Sequence, residues 1–179
     1  MRCKWVNEKN ILYVKYHDEE WGIESHDDKY LFEMLLLESF QAGLSWECVL
    51  NKREDFRVSF DNFDYKKIAL YDENKINELM SNPKIIRNRL KIKSTIKNAN
   101  IFIDIQKEFG SFDKYIWSFS NNKVIKNEND IFNTTSSLSD KVSKDLKKRG
   151  MSFVGSTIIY SYLQAIGIIN DHELKCSFR

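Results

Sequence analysis

The sequence predicts an all-α protein. Apolar residues recur mainly at the three- and four-residue spacing of helices, and no stretch alternates persuasively with a strand's two-residue period. Only one proline and six glycines punctuate the 179 residues, so long segments are free to stay helical.

Taken in order, "YLFEMLLLESF" from Tyr30 sets Leu31, Met34, Leu35 and Glu38 on one helical stripe. "DENKINELM" reads as a short helix, and Pro83 marks the break behind it. "NRLKIKSTIKNANIFIDIQKEF" fits a long helix stopped by Gly110, the residue type that best tolerates the left-handed turn past a helix end. "FDKYIWSFS" adds another short helical piece, with Trp117 assigned to the core. "NNKVIKNENDIFNTTSS" has the weakest pattern and reads as a surface loop. "SSLSDKVSKDLKKRG" rebuilds a helix, with Ser or Asp available to cap its start and Gly150 at its end. "VGSTIIYSYLQAIGII" supplies a last helix after Gly155.

Residues 1–179 suit one domain, or two small lobes sharing a core. The composition, 42% hydrophobic and 13% aromatic, can build that core without disulfides. Cys3, Cys48 and Cys176 form no closely spaced even framework, and Cys48 reads as a small buried hydrophobe. No apolar run approaches the roughly 18 residues of a membrane span, and no signal-peptide core opens the chain. The expectation is a soluble, cytoplasmic protein without a membrane partner.

Net charge is only +2, but the charges are unevenly spread. "KIIRNRLKIKSTIK" carries basic residues and no acid, and "KVSKDLKKR" is basic but for Asp145. Each could be a solvated helix face; two together favour a polyanion partner. Between the last two helices, Gly150 and Gly155 bound a tight turn, with Lys147, Lys148 and Arg149 ahead of it and Ser152 and Ser156 within reach. Such a turn is either an ordinary helical hairpin or a phosphate cradle of free backbone amides at a helix N-terminus.

Glu38 is an acid on an apolar stripe, and "MLLLESFQAGLSW" offers no base to neutralise it. It could lean outward or cap the "QAGLSW" turn. Alternatively it could serve, among Trp46, Trp5, Tyr13, Tyr16 and Trp21, to hold a flat cationic ring. Of three histidines, His26 sits in an acidic, exposed-looking stretch. Cys3, His17, His172 and Cys176 are a Cys₂His₂ set of the kind tetrahedral zinc prefers, although their spacing is not that of a standard finger. Unrelated thiols and surface imidazoles would give the same pattern.

"RCKWV", "YHDEEWG", "LFEMLLLESFQAGLSW", "VLNKRE", "IIRNRLKI", "WSF", "LKKRGMSFVGSTIIYSYLQAIGIINDH" and the final Cys176 follow one another along nearly the whole chain. In these stretches it resembles the bacterial DNA-3-methyladenine glycosylase I family of base-excision repair enzymes. The resemblance implies a helix-hairpin-helix glycosylase fold in which zinc joins the N- and C-terminal segments. It implies one structural zinc on Cys3, His17, His172 and Cys176, and a base pocket at Glu38, Tyr16 and Trp46 with Trp5, Tyr13 and Trp21 nearby. The hairpin falls on the 149–156 turn, where Lys147, Lys148, Arg149, Gly150, Ser152, Gly155 and Ser156 would contact the DNA backbone. The implied activity is hydrolysis of the N-glycosidic bond of 3-methyladenine in double-stranded alkylated DNA. The enzyme would be monomeric and without lyase activity, flipping the base out of the duplex and recognising it through Glu38. Asp171, beside His172, is expected to support the site or lie at the surface. Rival readings are a non-catalytic zinc-stabilised DNA-binding module and an enzyme of free nucleotides.

Overall fold

The helix that carries Glu38, α2 (Asp28–Gln41), is the centre of the fold. Asp27 caps its start by accepting a hydrogen bond from the Lys29 amide. Every residue from Leu31 to Phe40 is buried. A single stripe was therefore too narrow an expectation: a helix apolar on all sides belongs inside the protein.

A computed structural model describes residues 1–131 and 133–179. Ahead of α2 lies α1 (Ile11–Glu19), and behind it come α3 (Trp46–Leu50), α4 (Arg53–Ser59), a 3₁₀ turn at Asp61–Phe63, α5 (Tyr65–Ile68) and α6 (Glu73–Ser81). The long α7 (Arg89–Phe109) ends at Gly110, whose φ of +89° is the left-handed cap expected there. Then follow α8 (Phe112–Ser118), α9 (Ser137–Lys148) and α10 (Ser156–Ala165). Ser136 starts α9 with a capping box to Ser139.

Helices α3, α7, α8 and α10 pack around α2, and the buried apolar residues form one cluster from Cys3 to Cys176. Trp117 is buried within it, as expected. The stretch read as a surface loop contains a short strand, β1 (Ile125–Lys126), which pairs in parallel with β2 (Ile169–Asn170). Two residues are too few to show alternation. Phe132, in the same stretch, lies outside the described residues.

The C-terminal end of α10 is pressed against the segment after α1. Gly22 and Ser25 donate backbone hydrogen bonds to the carbonyls of Gln164 and Ile166. Gly167 has a φ of +79°, and a Cβ there would stand 2.2 Å from the Ile23 backbone. Only glycine fits this approach, which sets α10 against the N-terminal segment.

Candidate active site and metal centre

Helix α1 begins at Asn10, whose side chain accepts from the amides of Leu12 and Tyr13. The start so defined puts Tyr13 and Tyr16 one turn apart on a cavity of about 230 Å³. That is less than the about 300–1,000 Å³ of drug-sized sites, so it suits one small flat ring. Trp5, Trp21 and Trp46 complete its aromatic walls, and Glu38, Gln41, Ser161 and Gln164 are its polar ones. Trp5 meets Tyr13 and Trp21 edge-on at 5.2 and 4.8 Å, and Tyr16 tilts against Trp46 at 5.0 Å.

Among the described residues, four buried side-chain polar atoms have no hydrogen-bond partner: Trp5 Nε1, Glu38 Oε2, Gln41 Oε1 and Trp46 Nε1. All four belong to residues lining this one cavity. Each such orphan costs about 1–3 kcal/mol, so their concentration marks a place where a ligand supplies the partners.

Glu33, five residues before Glu38 on α2, shows what an ordinary buried acid needs. It accepts from Arg53 at 2.7 Å and Arg57 at 2.8 Å. Glu38 is 2% exposed and has no ion pair or hydrogen bond among the described residues. It neither leans out nor caps the "QAGLSW" turn, and burial pushes its carboxyl well above the usual carboxylate range. The turn is held instead by Lys91, whose ammonium donates to the carbonyls of Phe40 at 2.9 Å and Ala42 at 2.6 Å. A cation is favourable at this negative end of α2. Burial lowers the Lys91 pKa. Lys91 is therefore not part of a solvated basic face.

The structure brings Cys3, His17, His172 and Cys176 together, fully or almost fully buried, with all ligand atoms within 4.8 Å of one another. Cys176 Sγ stands 3.3 Å from His172 Nδ1 and 3.6 Å from His17 Nε2, and Cys3 Sγ stands 3.5 Å from His172 Nδ1. Such separations suit a small tetrahedral ion, so the group could hold a metal. The outer nitrogens are both engaged: His17 Nδ1 with Asp18 at 2.7 Å, His172 Nε2 with the Trp21 carbonyl at 2.9 Å. These bonds fix each ring with its other nitrogen facing the cluster. Asp18 is held in turn by the Arg2 guanidinium, which keeps its carboxyl below the usual range. Without a cation, burial pushes the Cys3 thiol up to about 12 and the His172 imidazole down to about 4.

Residues 5–179 match the family model described as "Methyladenine glycosylase". The chain belongs to the methyladenine glycosylase family. It is 44% identical to DNA-3-methyladenine glycosylase 1 of Escherichia coli K12 over 98% of this chain and 95% of that one. Its fold matches a crystal structure of 3-methyladenine DNA glycosylase I with a TM-score of 0.95 and 42% identity, over 99% and 98% of the two chains. It also matches a variant of 3-methyladenine DNA glycosylase I in complex with 3-methyladenine, at a TM-score of 0.90 and 34% identity, over 94% and 92%. Membership makes this chain an enzyme of the glycosylase class.

In this glycosylase the turn between α9 and α10 mixes free and occupied groups. Gly155 precedes α10 without a side-chain cap, so the first amides of α10 have no partner from that residue. The Ser152 amide is bound by Asn98, and the Ser156 hydroxyl by Asp140 and Ser139. Lys147 and Lys148 are exposed, but Arg149 lies against Phe109 and Tyr115 and pairs with Glu108 at 2.6 Å and Asp145 at 2.8 Å. Its guanidinium thus already has two carboxylate partners within the protein. Within the other basic stretch, Arg89 and Lys93 both pair with Glu73.

Cys48 is only half-buried, against expectation. His26 is exposed, as expected, and it bonds Asp113 at 2.6 Å and tilts over Trp117. For Asp171 the structure rules out the surface alternative. Asp171 is buried and accepts from Tyr160 and Gln164, each at 2.6 Å. Sequence reasoning missed Gln41, Ser161 and Gln164. Their signal was the spacing of polar pairs one turn apart on largely apolar helices, Glu38 with Gln41 and Ser161 with Gln164.

Proposed function

We propose that this glycosylase excises 3-methyladenine from alkylated double-stranded DNA, acting on a nucleotide flipped out of the helix. The observation that carries the reading is the set of four unpaired polar atoms in one aromatic cavity. A methylated adenine would supply their partners, its N–H groups to Glu38 and Gln41 and its ring nitrogens to the indoles of Trp5 and Trp46. Tyr16 and Trp46, with Tyr13 and Trp21 behind them, would stack on its faces.

The chemistry needs little further help. A target atom inside a duplex is out of reach, so the nucleotide is extruded at a cost of a few kcal/mol. Leu44, exposed on the turn that Lys91 holds, is an apolar wedge for the gap left behind. N3-methylation makes the base cationic, so the C1′–N9 bond breaks with its electron pair going to the base, which leaves neutral. Water adds its oxygen to the sugar carbon and loses a proton to solvent. Glu38 contributes recognition: a buried carboxylate is compensated by a cationic base and not by neutral adenine. Among the described residues no lysine lines the cavity, which supports a monofunctional enzyme that forms no Schiff base.

Residues 1–179 act as one glycosylase domain of two lobes. The α9–turn–α10 unit is a helix-hairpin-helix whose Gly155–Ser156 amides receive a phosphate, with Lys147 and Lys148 alongside. Such contacts position the strand and carry no sequence information. The Cys₂His₂ set holds one zinc. Four protein ligands leave no open position, so zinc would supply stability and orient Tyr16, the neighbour of His17, without entering the reaction.

The test is release of free base from methylated and unmethylated duplex DNA. Selective release of 3-methyladenine, with no borohydride-trapped protein–DNA adduct, is the expected result. No release, or equal release of adenine, overturns the proposal. DNA binding without release would favour the non-catalytic module.

A further inference from the structure

Gln164 lines the cavity from α10, and its orientation is set from outside the cavity. Its Nε2 donates to Asp171 Oδ2 at 2.6 Å, and the Tyr160 hydroxyl donates to the same oxygen at 2.6 Å. The amide nitrogen is thus the atom turned toward Asp171. The amide oxygen is left without a partner among the described hydrogen bonds. The backbone behind it is pinned as well, because the Gln164 carbonyl accepts from Gly22 and Gly167. Asp171 is 4% exposed and faces no cation within ion-pair distance among the described residues, so these side-chain donors are what satisfy its buried Oδ2.

We infer that Gln164 reads the base: its amide oxygen accepts a hydrogen bond from the exocyclic amino group, and Asp171 is the positioning residue that aims it. The inference rests on the glycosylase reading above and deepens it. Together with Glu38 and Gln41 it gives the cavity three acceptor side chains, set against the indole donors of Trp5 and Trp46. An oxo group at the same place on the ring would meet oxygen lone pairs and be repelled. Asp171 thereby has a task at the pocket although it directly precedes His172 of the metal cluster.

The experiment measures binding of free 3-methyladenine, and of 3-methylhypoxanthine with oxygen in place of the amino group, through quenching of the cavity tryptophans. Gln164→Met should weaken 3-methyladenine binding about tenfold and leave 3-methylhypoxanthine binding unchanged or improved. Asp171→Asn should weaken it about threefold, and the double variant should be no weaker than Gln164→Met alone, because Asp171 acts through Gln164. Metal content and Tm are measured alongside; should Gln164→Met fail to fold, Gln164→Asn, which keeps the amide and shortens its reach, reads the same loss. Full 3-methyladenine binding by the Gln164 variants, equal weakening for both bases, or additive losses in the double variant would overturn the inference alone. No binding of 3-methyladenine by the unaltered protein, together with no release of base from methylated duplex DNA, would overturn the glycosylase reading and this inference with it.

Discussion

The Cys₂His₂ cluster and the aromatic cavity are neighbours that share α1 and Trp21, and their polar atoms are treated in opposite ways. In the cluster the outer nitrogen of each histidine is bonded and the Glu173 amide points at Cys3 Sγ. In the cavity four polar atoms are buried and left unpaired. The cluster is arranged to stay as it is, whereas the cavity is arranged to be completed by something else. Stability and recognition would thus fall to adjacent sites that touch through Trp5 and Trp21 but use different polar side chains, and each can be disturbed while the other is watched.

The largest effect should come from breaking the cluster. Cys176→Ser, or chelation under denaturing stress, is expected to remove the metal and cost about 5 kcal/mol, or roughly 10–20 °C in Tm. Metal content and calorimetry check this. Loss of base release with an unchanged Tm would show that the cluster serves chemistry instead of stability.

Breaking the cavity should have the reverse signature. Glu38→Gln is expected to lower 3-methyladenine release by about 30-fold or more, as when one member of a buried charge pair is removed. Tm should not fall, because the native carboxyl is already unsatisfied. Full activity in that variant would remove Glu38 from recognition.

A pH series sharpens the same point. Burial raises the folded-state pKa of Glu38 well above the ordinary 4.5. The folded protein therefore holds this proton more tightly than the unfolded chain does. Stability from this group is complete below about pH 4.5 and is lost as pH rises toward the folded-state pKa. The Tm of Glu38→Gln relative to the unaltered protein should therefore grow with pH above 4.5. A difference independent of pH would mean that the carboxyl titrates normally.

The smallest effects should come from the hairpin flank, remote from both sites. Lys147→Ala and Lys148→Ala should leave Tm and free-base binding unchanged. Each is expected to reduce the salt dependence of DNA affinity by about 0.9 in the log–log slope for every phosphate the lysine would otherwise neutralise. Arg149→Ala should instead lower stability, since its partners are Glu108 and Asp145.

The contrast also explains what the sequence made legible. Long helices such as α7 and α9 carry their period, caps and stop signals within themselves, so they can be read locally. The short helices between Trp46 and Ile68 and the two-residue strands depend on packing from elsewhere and have no period long enough to detect. Glu38 stood out because an acid interrupts an apolar run. Gln41 and Gln164 did not, because an uncharged amide is unremarkable until the helix faces around it are known to be buried. Arg149 and Lys91 looked like surface cations. Their partners, Glu108 for the one and the Phe40 and Ala42 carbonyls for the other, lie too far along the chain to be paired by eye.

The cluster also has a consequence for how the protein is made. His17 and Cys176 are 159 residues apart, and at the usual 5–20 residues per second a ribosome needs roughly 8–30 s to synthesise the second after the first. During that interval Cys3 is a thiol without its partners, open to oxidation or to the wrong ion. Contacts so distant in sequence are also the slowest to form. With a metal bound there, its capture would fall at the end of folding, and supply of the ion, as much as the chain itself, would set how much newly made enzyme reaches its finished state.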